Sequence, residues 1–253
     1  KMTSWKFDGE NIIAQGPDFN SYRKVDNDRN FSPDFTNSTS VSVTGALAKS
    51  GNKATMSVSG YAYSCSYTID YTFYADATVD MKVTFSPSGN LARMGLGMQF
   101  AEGMEDVEYY GRGPWSNYSD RKTGSFLGRY QTTVDDMVDE MIHPQTYGDH
   151  QDMRDLTLRN LTNGLSLNVQ TEGQVSFSLG HYDETRWCTY GDSMWNSQLH
   201  WYDLSRDPQI YAHFDYFQRG LGNNSCGGDS CLSEYTCPSW GSYSYTLRFT
   251  PTK

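Results

Sequence analysis

The densest group of chemically capable side chains lies in one stretch, EYYGRGPWSNYSDRKTG, which runs from Glu108 to Gly124. Its Asp-Arg-Lys cluster at 120–122 can form charge-assisted hydrogen bonds. Gly111 and Gly113 permit backbone angles that other residues avoid, and Pro114 fixes its own φ. The stretch places no nucleophile beside a base and no two carboxylates at a controlled spacing. It therefore predicts either a rigid structural corner or a ligand-facing loop.

Two pairs of residues suit acid–base work on a sugar by their types alone. Such chemistry needs a histidine general acid and a carboxylate general base on opposite sides of the ring. His213 with Glu234, or His181 with Asp183, could form such a pair. For each histidine the alternative is a structural side chain whose hydrogen bonds are satisfied within the fold.

The elements that position these residues are predicted to be strands, because apolar and polar residues alternate along most of the chain. Helical patterns are scarce: Thr185–Asp203 favours one short helix, and Thr132–Glu140 a second helix or an acidic loop. Many strands with few helices indicate one antiparallel β-sandwich domain over residues 1–253. The predicted strands cover 39–47, 54–64, 66–85 with a bend at 75–76, 91–100, 106–111, 155–160, 164–171, 174–182, 210–218 and 242–251.

The composition argues against several classes of partner. A net charge of −10 is unsuited to a phosphate backbone, so we expect no nucleic acid. The chain has no apolar run of the roughly 18 residues that a spanning helix needs and no basic amphipathic helix, so we expect no membrane. It starts KMTSW, with a lysine before the first methionine, which indicates a piece of a longer chain.

Five cysteines occur without a CxxC pair, which argues against a zinc site. A cation held by backbone carbonyls and carboxylates would leave no motif. In an oxidising compartment the spacing allows a Cys226–Cys231 or a Cys231–Cys237 bridge. This option and the abundance of Tyr, Asn and Ser favour an extracytoplasmic location, periplasmic or secreted. Five Asn-x-Ser/Thr triplets carry little weight in a chain so rich in these residues; they begin at Asn30, Asn37, Asn117, Asn160 and Asn223.

The stretch from Glu108 to Gly124 resembles a family signature. YYGRGPWSNYSDRKTGSFLGRY is similar to the YxGxGPxENYxDR signature in the C-terminal domain of the β-galactosidases of glycoside hydrolase family 2. Three further segments resemble the family less closely and occur in the same order as in the family: GPDFNSYRKVDNDRNF, VDDMVDEMIHPQTYGDHQDMRDLTL and FQRGLGNNSCGGDSCLSEYTC. The residues that carry the signature are Tyr110, Gly111, Gly113, Pro114, Trp115, Asn117, Tyr118, Asp120 and Arg121.

The resemblance implies a galactose-mutarotase-like β-supersandwich that forms the last domain of a much larger enzyme. The family's two catalytic glutamates lie in a separate barrel domain, which this chain lacks. We therefore expect no catalytic residue here, no hydrolysis by the isolated chain, and packing against the barrel and other domains of the same polypeptide. The acidic residues of the matching segments then read as solvated or networked charges: Glu108, Asp120, Asp135, Asp136 and Glu140.

The resemblance also implies a sugar-site loop, made of Asn223, Asn224, Ser225 and Cys226. In the family this loop carries a tryptophan that forms one wall of the sugar site. Cys226 occupies the matching position, and a thiol offers no stacking platform. The galactoside would be bound through the parent enzyme. We expect no cofactor in this chain, whereas the resemblance leaves a divalent or monovalent cation open for the parent.

Two alternatives remain at this point. A free-standing carbohydrate-binding module would line a groove with exposed aromatic residues, for which Trp115, Tyr118, Trp195 and Trp201 are candidates. An aldose epimerase would need one of the histidine–carboxylate pairs above. If the chain is instead a β-galactosidase domain, Trp115 and Tyr118 are expected to bury their rings in the corner.

Overall fold

The computed structural model describes residues 2–23, 25, 40–142, 144–187, 200–222 and 231–253. Within these ranges the chain forms fifteen strands, one short α-helix and four single 3-10 turns. The strands are β1 Lys6–Phe7, β2 Glu10–Asn11, β3 Ile13–Asn20, β4 Ser40–Ser50, β5 Lys53–Ala62, β6 Cys65–Tyr74, β7 Val79–Pro87, β8 Arg93–Phe100, β9 Asp106–Gly113, β10 Phe126–Thr133, β11 Asp155–Arg159, β12 Ser166–Glu172, β13 Ser176–Gly180, β14 Ile210–Gln218 and β15 Tyr243–Thr252.

Two antiparallel sheets make up most of the molecule. The larger sheet has nine strands in the order β10-β9-β11-β12-β15-β7-β6-β5-β4, and the smaller has four in the order β13-β14-β8-β3. β1 and β2 form a separate two-stranded ribbon. The predicted all-β antiparallel supersandwich is thus confirmed.

Alternation of side chains explains why these segments pair as sheets. In β6, Cys65, Tyr67, Ile69 and Tyr71 are buried, whereas Ser66 and Asp70 between them are exposed. Successive side chains of a strand point to opposite faces, so one face of the sheet enters the core. The two sheets meet there through aromatic rings: the Phe214 and Phe249 ring centroids lie 6.0 Å apart in an edge-to-face arrangement.

Every predicted strand is present, but four strands were missed: the two-residue strands β1 and β2, and the longer strands β3 and β10. β10 is an edge strand whose side chains are exposed or half-buried, so its sequence FLGRYQTT has no apolar alternation. β3 contains Gly16 and Pro17 and pairs with β8 with two register shifts, which obscures its pattern. The predicted short helix is α1, Glu184–Trp187, with a 3-10 turn at Trp201–Asp203 and residues 188–199 outside the described ranges.

The predicted acidic segment Thr132–Glu140 contains the end of β10 and the 3-10 turn Asp135–Met137, and no α-helix. The other two 3-10 turns are Lys122–Gly124 and Ser233–Tyr235. Over the described ranges, no helix is both long enough and apolar enough to cross a bilayer.

Candidate functional site

The signature stretch forms a tight corner where β9 ends. The bond between Gly113 and Pro114 is cis. A side chain at Gly113 would collide with the hydroxyl of Tyr109 and the ring of Tyr130, so glycine is required at this position. The Tyr130 hydroxyl donates a hydrogen bond to the Gly113 carbonyl, 3.1 Å away. β10 therefore buttresses the start of the corner.

Asn117 joins the corner to a neighbouring segment and is fully buried. Its Nδ2 donates to the carbonyls of Arg112 (3.1 Å) and Trp115 (3.0 Å). Its Oδ1 accepts from the Gln151 amide at 3.0 Å, and its own amide donates to the Asp149 carbonyl at 2.7 Å. One side chain thus satisfies polar backbone groups on both sides of the turn, which stabilises its shape.

The two aromatic residues of the corner differ in exposure. Tyr118 is buried, with 2% of its surface exposed, as expected. The expectation for Trp115 is wrong, because 67% of its surface is exposed. Asn117 and Tyr118 fill the interior of the corner, so Trp115 points outward.

The Asp-Arg-Lys cluster also differs from the expectation of a mutual network. Lys122 pairs with Asp152 instead, with its Nζ 3.1 Å from the carboxylate, and Arg112 binds the same carboxylate. Burial would raise the pKa of Asp152, but these two cations outweigh it and lower that pKa. Arg121 lies over the ring of Tyr118, 5.8 Å from its centroid. The remaining member, Asp120, turns toward a different loop.

Asp120 contacts the residues that precede the predicted sugar-site loop. Its Oδ2 accepts a hydrogen bond from the Gly222 amide at 3.0 Å. Ser119 donates to the Gln218 carbonyl at 3.2 Å, and Arg23 donates to the Gly220 carbonyl at 2.7 Å. Three separate segments of the family resemblance therefore meet here. We call Arg23, Ser119, Asp120, Gly220 and Gly222 the loop anchor.

The loop that follows, Asn223, Asn224, Ser225 and Cys226, lies outside the described residues, so its predicted role stays a prediction. On the other flank, the Gly220 amide donates to the carbonyl of Tyr235 at 2.9 Å.

A group of buried charges surrounds the same region. Arg93 binds Asp215 through two hydrogen bonds of 2.9 and 2.7 Å, and both side chains are fully buried. Glu184 lies 3.7 Å from the Arg93 guanidinium. Burial would lower the pKa of Arg93, but the carboxylates of Asp215 and Glu184 raise it, so the arginine stays charged. Sequence reasoning missed this ion pair, although Arg93 and Asp215 each interrupt an apolar strand.

Asp149 belongs to the same buried group and lies beside the corner. Its carboxylate accepts a hydrogen bond from the Gln151 side chain. Burial, followed by the nearby charge of Asp215, raises its pKa to about 7. Its neighbour His150 is buried as well, and burial lowers its pKa. The corner therefore lies against ionisable groups whose pKa values are shifted by burial.

A polar cleft of about 270 Å³ lies on the outer face of the four-stranded sheet and is lined by Asn20, Gln99, Asp183, Tyr211 and His213, among others. His213 Nδ1 lies 2.8 Å from the Asn20 side-chain nitrogen, and burial lowers the pKa of the imidazole well below its usual value. The histidine is therefore neutral at pH 7.

Neither predicted histidine–carboxylate pair is present. His213 contacts Asn20 rather than Glu234, which is exposed. His181 Nε2 lies 2.9 Å from Glu105 rather than contacting Asp183, and its Nδ1 lies near two backbone carbonyls. Both histidines thus have partners within the fold, as the structural alternative predicted, and neither acid–base pair forms.

The predicted reading of these carboxylates as networked or solvated charges is confirmed for Glu108, Asp135, Asp136 and Glu140. Glu108 pairs with Arg159 (2.7 Å) and Arg129 (2.9 Å), which lower its pKa. Asp135 pairs with Arg206 at 3.1 Å. The two others, Asp136 and Glu140, are exposed.

Of the two bridges that the spacing allows, Cys231–Cys237 is not formed, because Cys237 is a free buried thiol. Burial raises its pKa to about 12, which makes it unreactive. The alternative bridge, Cys226–Cys231, involves a residue outside the described ranges and stays a prediction. Among the described residues, no three His, Cys, Asp or Glu side chains are grouped so that they could hold a metal ion.

Comparison with known proteins identifies the family. The model of a family described as beta galactosidase small chain matches residues 1–249. The chain therefore belongs to the β-galactosidase small chain family. It is 32% identical over 155 residues to a β-galactosidase of Staphylococcus xylosus, which is 60% of this chain and 14% of the relative. It is 29% identical over 184 residues to a β-galactosidase of Lactococcus lactis, which is 71% of this chain and 17% of the relative.

The chain thus spans about a sixth of the length of the curated relatives it matches. Among solved structures it is similar to a galactose mutarotase related enzyme from Lactobacillus acidophilus, with 10% identity and a TM-score of 0.43 over 84% of this chain and 71% of that one. It is also similar to a galactose 1-epimerase from Lactobacillus acidophilus NCFM, with 9% identity and a TM-score of 0.42 over 98% and 75%.

Proposed function

We propose that residues 1–253 form the non-catalytic C-terminal domain of a β-galactosidase, a retaining O-glycosyl hydrolase that hydrolyses terminal β-galactosides. The domain packs on the catalytic barrel of the parent and presents the predicted loop of Asn223, Asn224, Ser225 and Cys226 to the sugar site. The galactoside is bound by the parent enzyme as a whole. Family membership and the much greater length of the β-galactosidases it resembles support this proposal.

The loop anchor is the observation that carries the proposal. Asp120 and Arg23 hold the backbone immediately before residue 223 with charge-assisted hydrogen bonds of 3.0 and 2.7 Å. Such bonds are stronger than neutral ones, and binding loops work best on a rigid support. The signature is then an architectural corner whose purpose is to fix where the loop begins.

The chemistry of the loop suits a supporting role. Retaining hydrolysis requires two carboxyl groups roughly 5 Å apart on the two sides of the glycosidic bond, and we place that pair in the parent's barrel. Asn223, Asn224 and Ser225 offer amide and hydroxyl groups that can bind sugar hydroxyls. Cys226 replaces an aromatic wall with a small one, so we expect the site to depend more on hydrogen bonds than on stacking.

The test uses the purified 253-residue chain and the longer polypeptide that the proposal requires. We expect the chain alone to show no hydrolysis of a chromogenic β-galactoside, and the longer polypeptide to be active. In the longer polypeptide, Asp120→Ala should raise KM and lower kcat, because the loop loses its support, whereas Asp120→Asn should retain activity, because its amide oxygen still accepts from Gly222. Asp136→Asn, a change on an exposed carboxylate, is the matched control.

Two results would contradict the proposal. Hydrolysis by the 253-residue chain that survives repurification would place an acid–base pair in this chain. Galactose binding to the chain alone, measured by calorimetry and lost on His213→Ala in the polar cleft, would favour a free-standing carbohydrate-binding module.

A further inference from the structure

The two sheets of the molecule differ in width, and the wider one extends past its partner. β3, the edge strand of the four-stranded sheet, covers β6 through Phe19, whose ring stacks on Tyr67 with centroids 5.4 Å apart. The nine-stranded sheet continues beyond this contact through β5 and β4. These two strands therefore extend past the edge of the smaller sheet.

The face that continues the core stays apolar across this extension. One row of paired residues runs Val83, Ile69, Val58 and Val43. Along this row the side chains pass from fully buried, through 2% exposed and half-buried, to 63% exposed at Val43. The row thus stays apolar from the core to the exposed edge of the sheet.

The opposite face of the same strands is polar. Thr44, Ser59 and Thr68 contact one another across three strands at 3.2 Å each, and Ser57 donates to Asp70 at 2.6 Å. The extension is therefore amphipathic. Strands that alternate in this way are built to have one face in water and the other covered.

A trough of about 650 Å³ lies over the apolar face. Val41, Val43, Met56, Val58 and Phe73 line it, and the segment Met2–Lys6 forms one wall. Contiguous exposed apolar surface of this kind marks an interaction site in a soluble protein.

We infer that the trough seats a part of the same polypeptide that precedes residue 1, an inference that rests on the proposed function. Two observations favour this occupant over others. The curated relatives carry more than four-fifths of their length outside the region that this chain matches. The first described residues, from Met2, lie in the wall of the trough, so a preceding segment would emerge beside the apolar face.

The test compares Val43→Lys with Ser42→Lys, in both the 253-residue chain and the longer polypeptide. Val43 lies on the trough face and Ser42 on the polar face of the same strand, and both are exposed here. In the 253-residue chain we expect neither change to lower the melting temperature. In the longer polypeptide, Val43→Lys should lower it, because a charge enters a covered apolar contact, and Ser42→Lys should not.

A second measurement is independent of these variants. Amide hydrogen exchange of β4 and β5 should be slower in the longer polypeptide than in the 253-residue chain, while exchange of the edge strand β10 should match in the two. Equal exchange of β4 and β5 in both would overturn the inference. So would a lower melting temperature of the 253-residue chain with Val43→Lys, since the chain would then cover its own trough.

A concentration-dependent dimer of the 253-residue chain, abolished by Val43→Lys in sedimentation, would also overturn the inference, because a second copy would be the occupant. The proposed function is judged separately, by hydrolysis. Protection of β4 and β5 in a longer polypeptide without β-galactosidase activity would uphold the trough and defeat the proposed function.

Discussion

The carboxylate of Asp120 accepts a hydrogen bond of 3.0 Å from the amide of Gly222, a residue 102 positions further along the chain. Gly222 adopts a positive φ of 84°, a conformation that favours glycine. The contact therefore joins the signature corner to a turn whose backbone conformation would strain any residue other than glycine. The anchor depends on both residues, one for its acceptor oxygen and one for its lack of a side chain.

The first prediction concerns this contact. Asp120→Ala should lower the free energy of unfolding by about 1–3 kcal/mol, because the Gly222 amide loses a charged acceptor. Asp120→Asn should recover part of that loss. Chemical denaturation of the 253-residue chain measures both, and equal stability of the alanine variant and the native chain would contradict the prediction.

A second prediction separates the two aromatic residues of the corner. Tyr118→Ala should destabilise the chain by about 3–5 kcal/mol, as expected when a large buried ring is removed. Trp115→Ala should change the free energy of unfolding by no more than about 0.5 kcal/mol, because the ring is mostly exposed. Thermal unfolding of the two variants side by side decides the matter. A large loss with Trp115→Ala would mean that the ring is covered within the chain.

The buried ion pair gives a third prediction. Arg93→Met should destabilise the chain by about 3–5 kcal/mol, because it leaves Asp215 and Glu184 without their buried cation. Arg129→Met is the matched control, since Arg129 pairs with Glu108 and Asp155 but its side chain is 54% exposed. Exposed pairs contribute at most about 1 kcal/mol. Chemical denaturation measures both variants. Similar losses in the free energy of unfolding for Arg93→Met and Arg129→Met would contradict the prediction.

The fourth prediction is a pH dependence at Asp149. Its pKa is raised from 3.8 to about 7 by burial in the folded chain. Between these values the folded state keeps a proton that the unfolded state has lost, so this group's contribution to stability falls as the pH rises. Above about pH 7 the fall levels off. Asp149→Asn should therefore stabilise the chain relative to the native sequence at pH 8 and match it near pH 4.

Melting temperatures between pH 4 and pH 8 provide the measurement for Asp149. Asp136→Asn, on an exposed carboxylate, should keep the native pH trend. If Asp149→Asn kept the same trend, the buried carboxyl would have to be ionised throughout.

Much of the fold could be predicted from the sequence, because alternation records which face of a strand is buried. β7 follows the period of two along its whole length and β6 from Cys65 to Tyr71, and both were predicted. β10 could not be predicted in this way, since none of its side chains is fully buried. The corner was also predicted, because Gly113 and Pro114 restrict the backbone locally and need no knowledge of distant residues.

The contacts of the candidate site were less predictable. The direction of Trp115 depends on how Asn117 and Tyr118 fill the corner, and residue type does not record that. The partner of Asp120 lies a hundred residues away and is a backbone amide, which leaves no mark on the sequence. Arg93 and Asp215 did leave a signal, as charges within apolar strands. The sequence does not show, however, that these two charges pair with each other.

The position of β15 has a consequence for the order of assembly during synthesis. This strand lies between β12 and β7 in the nine-stranded sheet, although it is the last strand of the chain. The strands β4–β7 on one side and β9–β12 on the other reach each other within that sheet only through it. Until residues 243–252 emerge from the ribosome, the nascent chain therefore has two half-sheets with open edges. Each open edge is able to pair with a wrong partner.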